Sequence, residues 1–169
     1  MNKATEPRIA PHTSVPGIDA AAASIVISEL EARLAGLLDF QLVLKHIHWN
    51  VVGPNFIAVH EMLDEHVDAA RGMTDATAER IRTLGGTPQG TPGFIVEART
   101  WGDYPINRGS VAEHLVALDS VYNGMVSDHR SALAAVSDID PITEDMLISQ
   151  TAQLELFQWF VRSHIETTA

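Results

Sequence analysis

Apolar side chains recur at spacings of three and four along four long stretches of the chain, which is the period of amphipathic helices. The first stretch runs from about Asp19 to Val52 and carries Ile27, Leu30, Leu34, Leu37, Leu38, Leu42 and Leu44. Gly53-Pro54-Asn55 interrupts it, with Asn55 placed to cap the next helix. The second stretch runs from Phe56 to Leu84 and meets a stop at Gly85-Gly86. A segment rich in glycine and proline follows, and within it "PGFIVEAR" predicts a short helix with Pro92 in its first turn. The third long helix starts at Ser110, where "SVAE" fits a capping box, and runs to about Ser137. Its apolar stripe is Val111, Leu115, Leu118, Tyr122, Met125 and Leu133. After the turn "DIDPITED", a fourth helix carries Met146, Leu147, Leu154, Phe157 and Val161. Strand-like alternation is absent from the pattern. Two short links and one long crossover predict an all-α, ferritin-like four-helix bundle with a short extra helix in the crossover between helices two and three. Residues 18–169 form that bundle domain, and residues 1–17, with Pro7, Pro11, Pro16 and Gly17, read as a flexible leader.

Composition narrows the setting. A chain of 169 residues, 46% hydrophobic and 20% charged, suits one globular domain. No apolar run reaches the roughly 18 residues that span a bilayer. The opening segment lacks the apolar core of a secretory signal, so a cytoplasmic location is expected. There is no cysteine, which excludes disulfides and thiolate metal sites. The formal net charge of −11 attracts cations and repels nucleic acid. Lys3 and Arg8 beside Glu6 make a poor basic tail, and "RSHIETTA" at the other end is no better, so direct charge contact with DNA is doubtful.

The second helix carries the candidate chemistry. With His60 at zero and about 100° per residue, Asp64 falls near 40°, Asp75 near 60°, Asp68 near 80° and Glu79 near 100°. Val59, Leu63, Val67, Ala70 and Ile81 occupy a separate arc between about 260° and 340°. One face is therefore apolar and its neighbour is lined by histidine and carboxylate. His60 with Asp64, and Asp75 with Glu79, are four apart, so each pair can grip a small cation. Asp64 and Asp75 lie eleven apart, about 16 Å along the axis, too far for one metal centre to use both pairs from one helix. Two antiparallel copies of the helix related by a two-fold axis would join the pairs into two identical sites. His48 can complete each site if the Gly-Pro-Asn turn lays the first two helices side by side. Imidazole and carboxylate without thiolate suit iron, manganese or zinc. A solvated acidic helix face accounts for the same pattern on periodicity alone.

Another reading uses the same residues. "HEMLD" at 60–64 differs by one residue from the H-E-x-x-H of zinc hydrolases, with Asp64 where the second histidine would stand. Asp75 and Glu79 have no part in such a site, and no third ligand stands out downstream.

The runs "KHIHWNVVGPNFIAVHEMLDEHVD" and "TDATAERIRTLGG" closely resemble the Dps family, the ferritin-like DNA-binding proteins of starved cells, in actinobacterial-like form. "ALDSVYNGMVSDHRSAL" and "LELFQWFVRSHIE" resemble that family's third and fourth helices, so the likeness spans roughly residues 20 to 166. The resemblance implies a dodecameric shell with ferroxidase sites at its two-fold interfaces. There, His48, His60 and Asp64 of one chain would face Asp75 and Glu79 of another, with Trp49 beside them. It implies oxidation of pairs of Fe²⁺, preferentially by hydrogen peroxide, and storage of ferric mineral in the cavity, sparing DNA from oxidative damage; the alternative within the same resemblance is a DNA-compacting structural shell with little ferroxidase activity. The absence of any E-x-x-H agrees with a site shared between subunits rather than built within one bundle. Asp119 and Asp128 on the third helix are candidates to line an iron-entry pore. His46 is two residues from His48 and faces elsewhere; His66, His114, His129 and His164 read as surface or interface residues. Trp101, Trp159 and Phe160 read as core or interface aromatics.

Overall fold

The structure is a computed structural model and describes residues 15–166. Residues 1–14, most of the segment read as a leader, lie outside the described residues. Asp19 opens α1 (Ala20–Asn50) by accepting a hydrogen bond from the Ala22 amide at 2.8 Å. A two-residue strand β1 (Val51–Val52) and the Gly53–Asn55 turn lead into α2 (Phe56–Thr83). The crossover holds the short α3 (Pro92–Ala98) and a second two-residue strand, β2 (Gly109–Ser110), before α4 (Val111–Val136) and α5 (Pro141–Ile165). α1 packs along α2, α4 along α5, and α1 against α4, which closes a four-helix bundle with α3 resting on α1.

The punctuation explains these boundaries. At the end of α2, Gly85 takes φ 92°, its amide donates to the Arg82 carbonyl, and the Gly86 amide donates to the Ile81 carbonyl at 2.9 Å. That pairing is a Schellman stop. Ser110 and Glu113 form the reciprocal capping box read from the sequence. Asn55 differs from its expected role. It sits at φ 63°, in the left-handed region that asparagine tolerates, and its side chain makes no capping bond. The turn draws on its backbone freedom instead.

The strands are also unlike the expectation. β1 and β2 pair in parallel, Val51 with Gly109 and Val52 with Ser110, and tie the exit of α1 to the entry of α4. Two residues are too few to leave an alternation signal. The core runs in two parts along the bundle. One gathers around Leu37, Phe40, Leu44, Leu63, Leu118, Tyr122 and Phe157. The other gathers around Ile27, Leu30, Ile81, Leu84, Val136 and Leu147, with Val15 and Ile18 packed on it. Leu42, placed in the stripe from sequence, is 63% exposed. Trp101 and Trp159 lie at the surface of the single chain rather than in its core.

Three histidines assigned to the surface or an interface are buried in the chain's own core. His66 is 1% exposed, and His114 and His129 are fully buried. Each has its Nδ1 engaged inside the fold: His66 with the Tyr122 hydroxyl, His114 with the Tyr104 hydroxyl, and His129 donating to the Met125 carbonyl. Burial holds His66 and His129 down to about 4, so both are neutral at ordinary pH. His164 is exposed. No helix among the described residues is long and apolar enough to cross a membrane.

Candidate metal centre

The tight turn after α1 folds the start of α2 back beside the end of α1. That brings His48 against His60, their rings stacked at 3.6 Å between centroids. The two residues are locked reciprocally. His60 Nδ1 lies 3.0 Å from the His48 carbonyl oxygen, and His48 Nδ1 lies 3.1 Å from the His60 carbonyl oxygen. A carbonyl can only accept, so both Nδ1 atoms must carry their protons. Each Nε2 is then left with its lone pair, the form in which histidine ligates a metal. The His48 carbonyl lies in the last turn of α1, where acceptors have no partner within the helix, so the same bond that orients His60 also caps α1.

Asp64, one turn past His60, completes the group. Its Oδ1 lies 3.3 Å from His48 Nδ1 and 2.9 Å from the ammonium of Lys45. His48, His60 and Asp64 each offer a ligand atom within 4.8 Å of the others. Lys45 holds the Asp64 carboxyl below the usual carboxylate range, and burial lowers the pKa of His48. Both shifts favour the ligating forms. Two imidazoles and one carboxylate, with no sulfur, fit Fe²⁺, Mn²⁺ or Zn²⁺. Sequence reasoning missed Lys45. Its signal was the three-residue spacing to His48, which puts both on one face of α1.

The other sequence-predicted residues lie elsewhere. Asp75 and Glu79 are exposed on the same stripe of α2, outside the group, with Asp75 about 16 Å beyond Asp64 along the axis. Trp49 is 71% exposed, and the Lys45 ammonium stands 5.9 Å from its ring centroid. Asp119 accepts from Arg162 at 2.8 Å and from Gln158 at 2.9 Å. Asp128 pairs with Arg33 at 3.2 Å. Both candidate pore carboxylates are thus held by arginines of their own chain.

An all-helical bundle with a crossover helix, carrying an imidazole–carboxylate group on the face of its first hairpin, is the architecture of a ferritin-like domain. The ferritin-like domain family matches residues 27–169. The DNA protection during starvation protein of Mycolicibacterium smegmatis is 50% identical over 154 residues, 91% of this chain and 84% of that protein. A fine tangled pili major subunit of Haemophilus ducreyi is 46% identical over 93% of this chain and 82% of its own length. Among solved structures, DpsA14 from Streptomyces coelicolor superposes with a TM-score of 0.93 at 53% identity, covering 96% of each chain. The chain belongs to the ferritin-like family, in its Dps branch.

Proposed function

We propose that this protein is an iron-oxidising and iron-storing mini-ferritin. It oxidises Fe²⁺ at dinuclear sites shared between two chains and stores ferric mineral inside a dodecameric cage in the cytoplasm. The observation that carries the reading is the preformed half-site. His48, His60 and Asp64 converge within 4.8 Å, both histidines held in the tautomer that leaves Nε2 free. Three donors from one chain leave a metal ion open to more. Asp75 and Glu79 of the partner subunit supply carboxylates across a two-fold axis, where hard anionic oxygens favour Fe³⁺ over Fe²⁺.

The oxidant of choice is hydrogen peroxide. Each of two Fe²⁺ ions gives up one electron, and peroxide takes both with two protons to form two waters, so no hydroxyl radical is released. DNA is protected by removing both Fenton reagents. A formal charge of −11 supports this chemical route over compaction of DNA by direct charge contact.

The test is anaerobic Fe²⁺ titration with light scattering on the same sample, followed by a peroxide pulse. The expected result is a closed dodecamer binding about two irons per site, with rapid oxidation. A shell that binds no iron would leave only the structural role, and a particle that grows with concentration would mark open assembly, as in a filament.

A further inference from the structure

A cavity of about 550 Å³ lies between α1, α4 and residues 100–105 of the crossover, and none of the metal group's three residues lines it. Its walls are largely apolar and aromatic: Phe40 and Val43 from α1, Val121 and Met125 from α4, Trp101 and Tyr104 from the crossover. The charged side chains on those walls are all carboxylates, Asp39, Asp103 and Asp128. Two guanidinium groups stand behind them. Arg99 lies 3.4 Å from Asp39 and also pairs with Asp103, and Arg33 lies 3.2 Å from Asp128. Three carboxylates against two arginines leave the cavity negative, in a chain whose formal charge is −11. Each carboxylate oxygen has two lone pairs, so a further donor can be accepted at every one of the three.

The carboxylates are set at two levels. Arg33, which holds Asp128, lies six residues before Asp39 on α1, so Asp128 and Asp39 are about 9 Å apart along the helix axis. Between those levels the trough is kept open by two glycines, Gly36 on α1 and Gly124 on α4. Neither has a positive φ that would demand glycine. A Cβ at Gly36 would meet Met125 Sδ at 3.6 Å and Trp101 Cη2 at 3.7 Å, both ordinary contacts, and a Cβ at Gly124 would meet nothing within 4 Å. Glycine inside a helix is destabilising relative to alanine, and here packing does not ask for it. What the two glycines leave is space. The Trp101 ring borders that space and is fixed by its Nε1, which donates to Asp39 Oδ2 at 2.6 Å.

We propose that this cavity binds a linear aliphatic diamine or polyamine. One ammonium bonds Asp39 and Asp103, another bonds Asp128, and the methylenes between them lie against Trp101 and Met125. A chain of about four or five methylenes covers the distance, with a charge-assisted hydrogen bond at each end. An ammonium beside the Trp101 ring gains from the face of the indole as well. An anionic ligand would meet three carboxylates, and an uncharged apolar one would leave them unanswered. A monoamine reaches one end only. The bond from Trp101 holds ring and carboxylate in place beforehand, so little ordering is left for the ligand to impose.

The test is calorimetric titration of the metal-free, full-length protein in its native assembly, with 1,4-diaminobutane and with butylamine at low ionic strength. The diamine should fill about one saturable site per chain and bind at least roughly tenfold more tightly than the monoamine, because its second ammonium is tethered to the first. Asp128→Asn should remove most of that margin. Gly124→Leu keeps every charge and fills the trough, so it should abolish the saturable site while thermal melting and light scattering report an intact fold and particle. Undiminished diamine binding by Gly124→Leu, or equal affinity for the two amines in the wild type, overturns the proposal, because the acidic surface at large would then hold them. A wild type that gives no saturable heat with the diamine overturns it as well.

Discussion

A complementation experiment tests the shared site most directly. Take two variants, His60→Ala and Asp75→Ala. In the single chain Asp75 lies eleven residues beyond Asp64 on the same continuous helix, about 16 Å away, whereas the group around His60 spans 4.8 Å. Neither variant chain can repair itself. If each site takes His48, His60 and Asp64 from one chain and Asp75 and Glu79 of the partner subunit, a shell of either variant alone has a damaged ligand set at every site. In shells assembled at random from equal amounts, a site is intact when its histidine half comes from an Asp75→Ala chain and its carboxylate half from a His60→Ala chain. Each has a chance of one half, so about one quarter of sites recover, a second quarter carry both lesions, and the rest carry one. The assay is peroxide-driven Fe²⁺ oxidation on mixed shells whose composition is checked by mass spectrometry. Recovery to about a quarter of the wild-type rate, above the mean of the two pure shells, is the expected result. Verified mixed shells that oxidise iron no faster than that mean would refute the sharing of ligands across the interface.

Other consequences can be measured on the same preparations. His48→Ala combined with His60→Ala should leave the cage intact by scattering and slow iron oxidation by at least tenfold, in keeping with the loss of both imidazole ligands; a wild-type rate would mean the ligands are misassigned. Lys45→Met removes the ammonium that competes for Asp64, so Fe²⁺ should bind roughly two- to five-fold more tightly by calorimetry, the range of an exposed ion pair. His129 is lowered from 6.5 to about 4, so the unfolded chain takes up the proton first as pH falls and stability is lost from 6.5 downward. Between pH 8 and pH 5 the loss is about 2 kcal/mol from this residue, readable by urea denaturation, and His129→Leu should flatten the profile by that amount. A Cβ on Gly86 would sit 2.8 Å from Ile81 Cγ2 and 3.1 Å from the Ile81 carbonyl oxygen, so Gly86→Ala should cost about 1–3 kcal/mol in the same denaturation assay.

The helices were legible because their apolar positions repeat at three and four. Their ends were legible where a single residue type does the work, as at Gly85-Gly86 and in the Ser110–Glu113 box. The α2 faces follow the wheel: Val59, Leu63, Val67, Ala70 and Ile81 are buried, whereas Asp64, Asp75 and Glu79 are exposed. What failed was judgement by residue type. His66 falls near 240° on the α2 wheel, at the margin of the apolar arc, and His129 follows Met125 by four in the α4 stripe. Both positions turn out to face the interior. The ordinary polarity of imidazole argued for the surface, but a hydrogen bond at Nδ1 and a neutral ring make burial tolerable. The β1–β2 pairing and the αL turn at Asn55 were out of reach for a different reason: each depends on where a distant segment or a single dihedral comes to lie.

The stacking of His48 on His60 shows how the bundle can hold its candidate metal group in order with its own bonds. Many metal sites in small proteins are organised by the metal, because ligands from separate elements have nothing else to hold them. Here each ligand's second nitrogen is tied to the other ligand's main chain, so the hairpin that closes α1 on α2 is also the device that orients the donors. The energy comes from bonds the fold needs anyway: a carbonyl left over at the end of α1 and the packing of Val51, Val59 and Leu63 into the core. Lys45 serves the same end electrostatically, since its ammonium lies on Asp64 where a cation is otherwise missing, with its charge also near the Trp49 ring. On the proposed function, an incoming Fe²⁺ would meet donors already aimed and a carboxylate already ionised, with the Lys45 ammonium to displace. Such a site spends little of a metal's binding energy on ordering the chain.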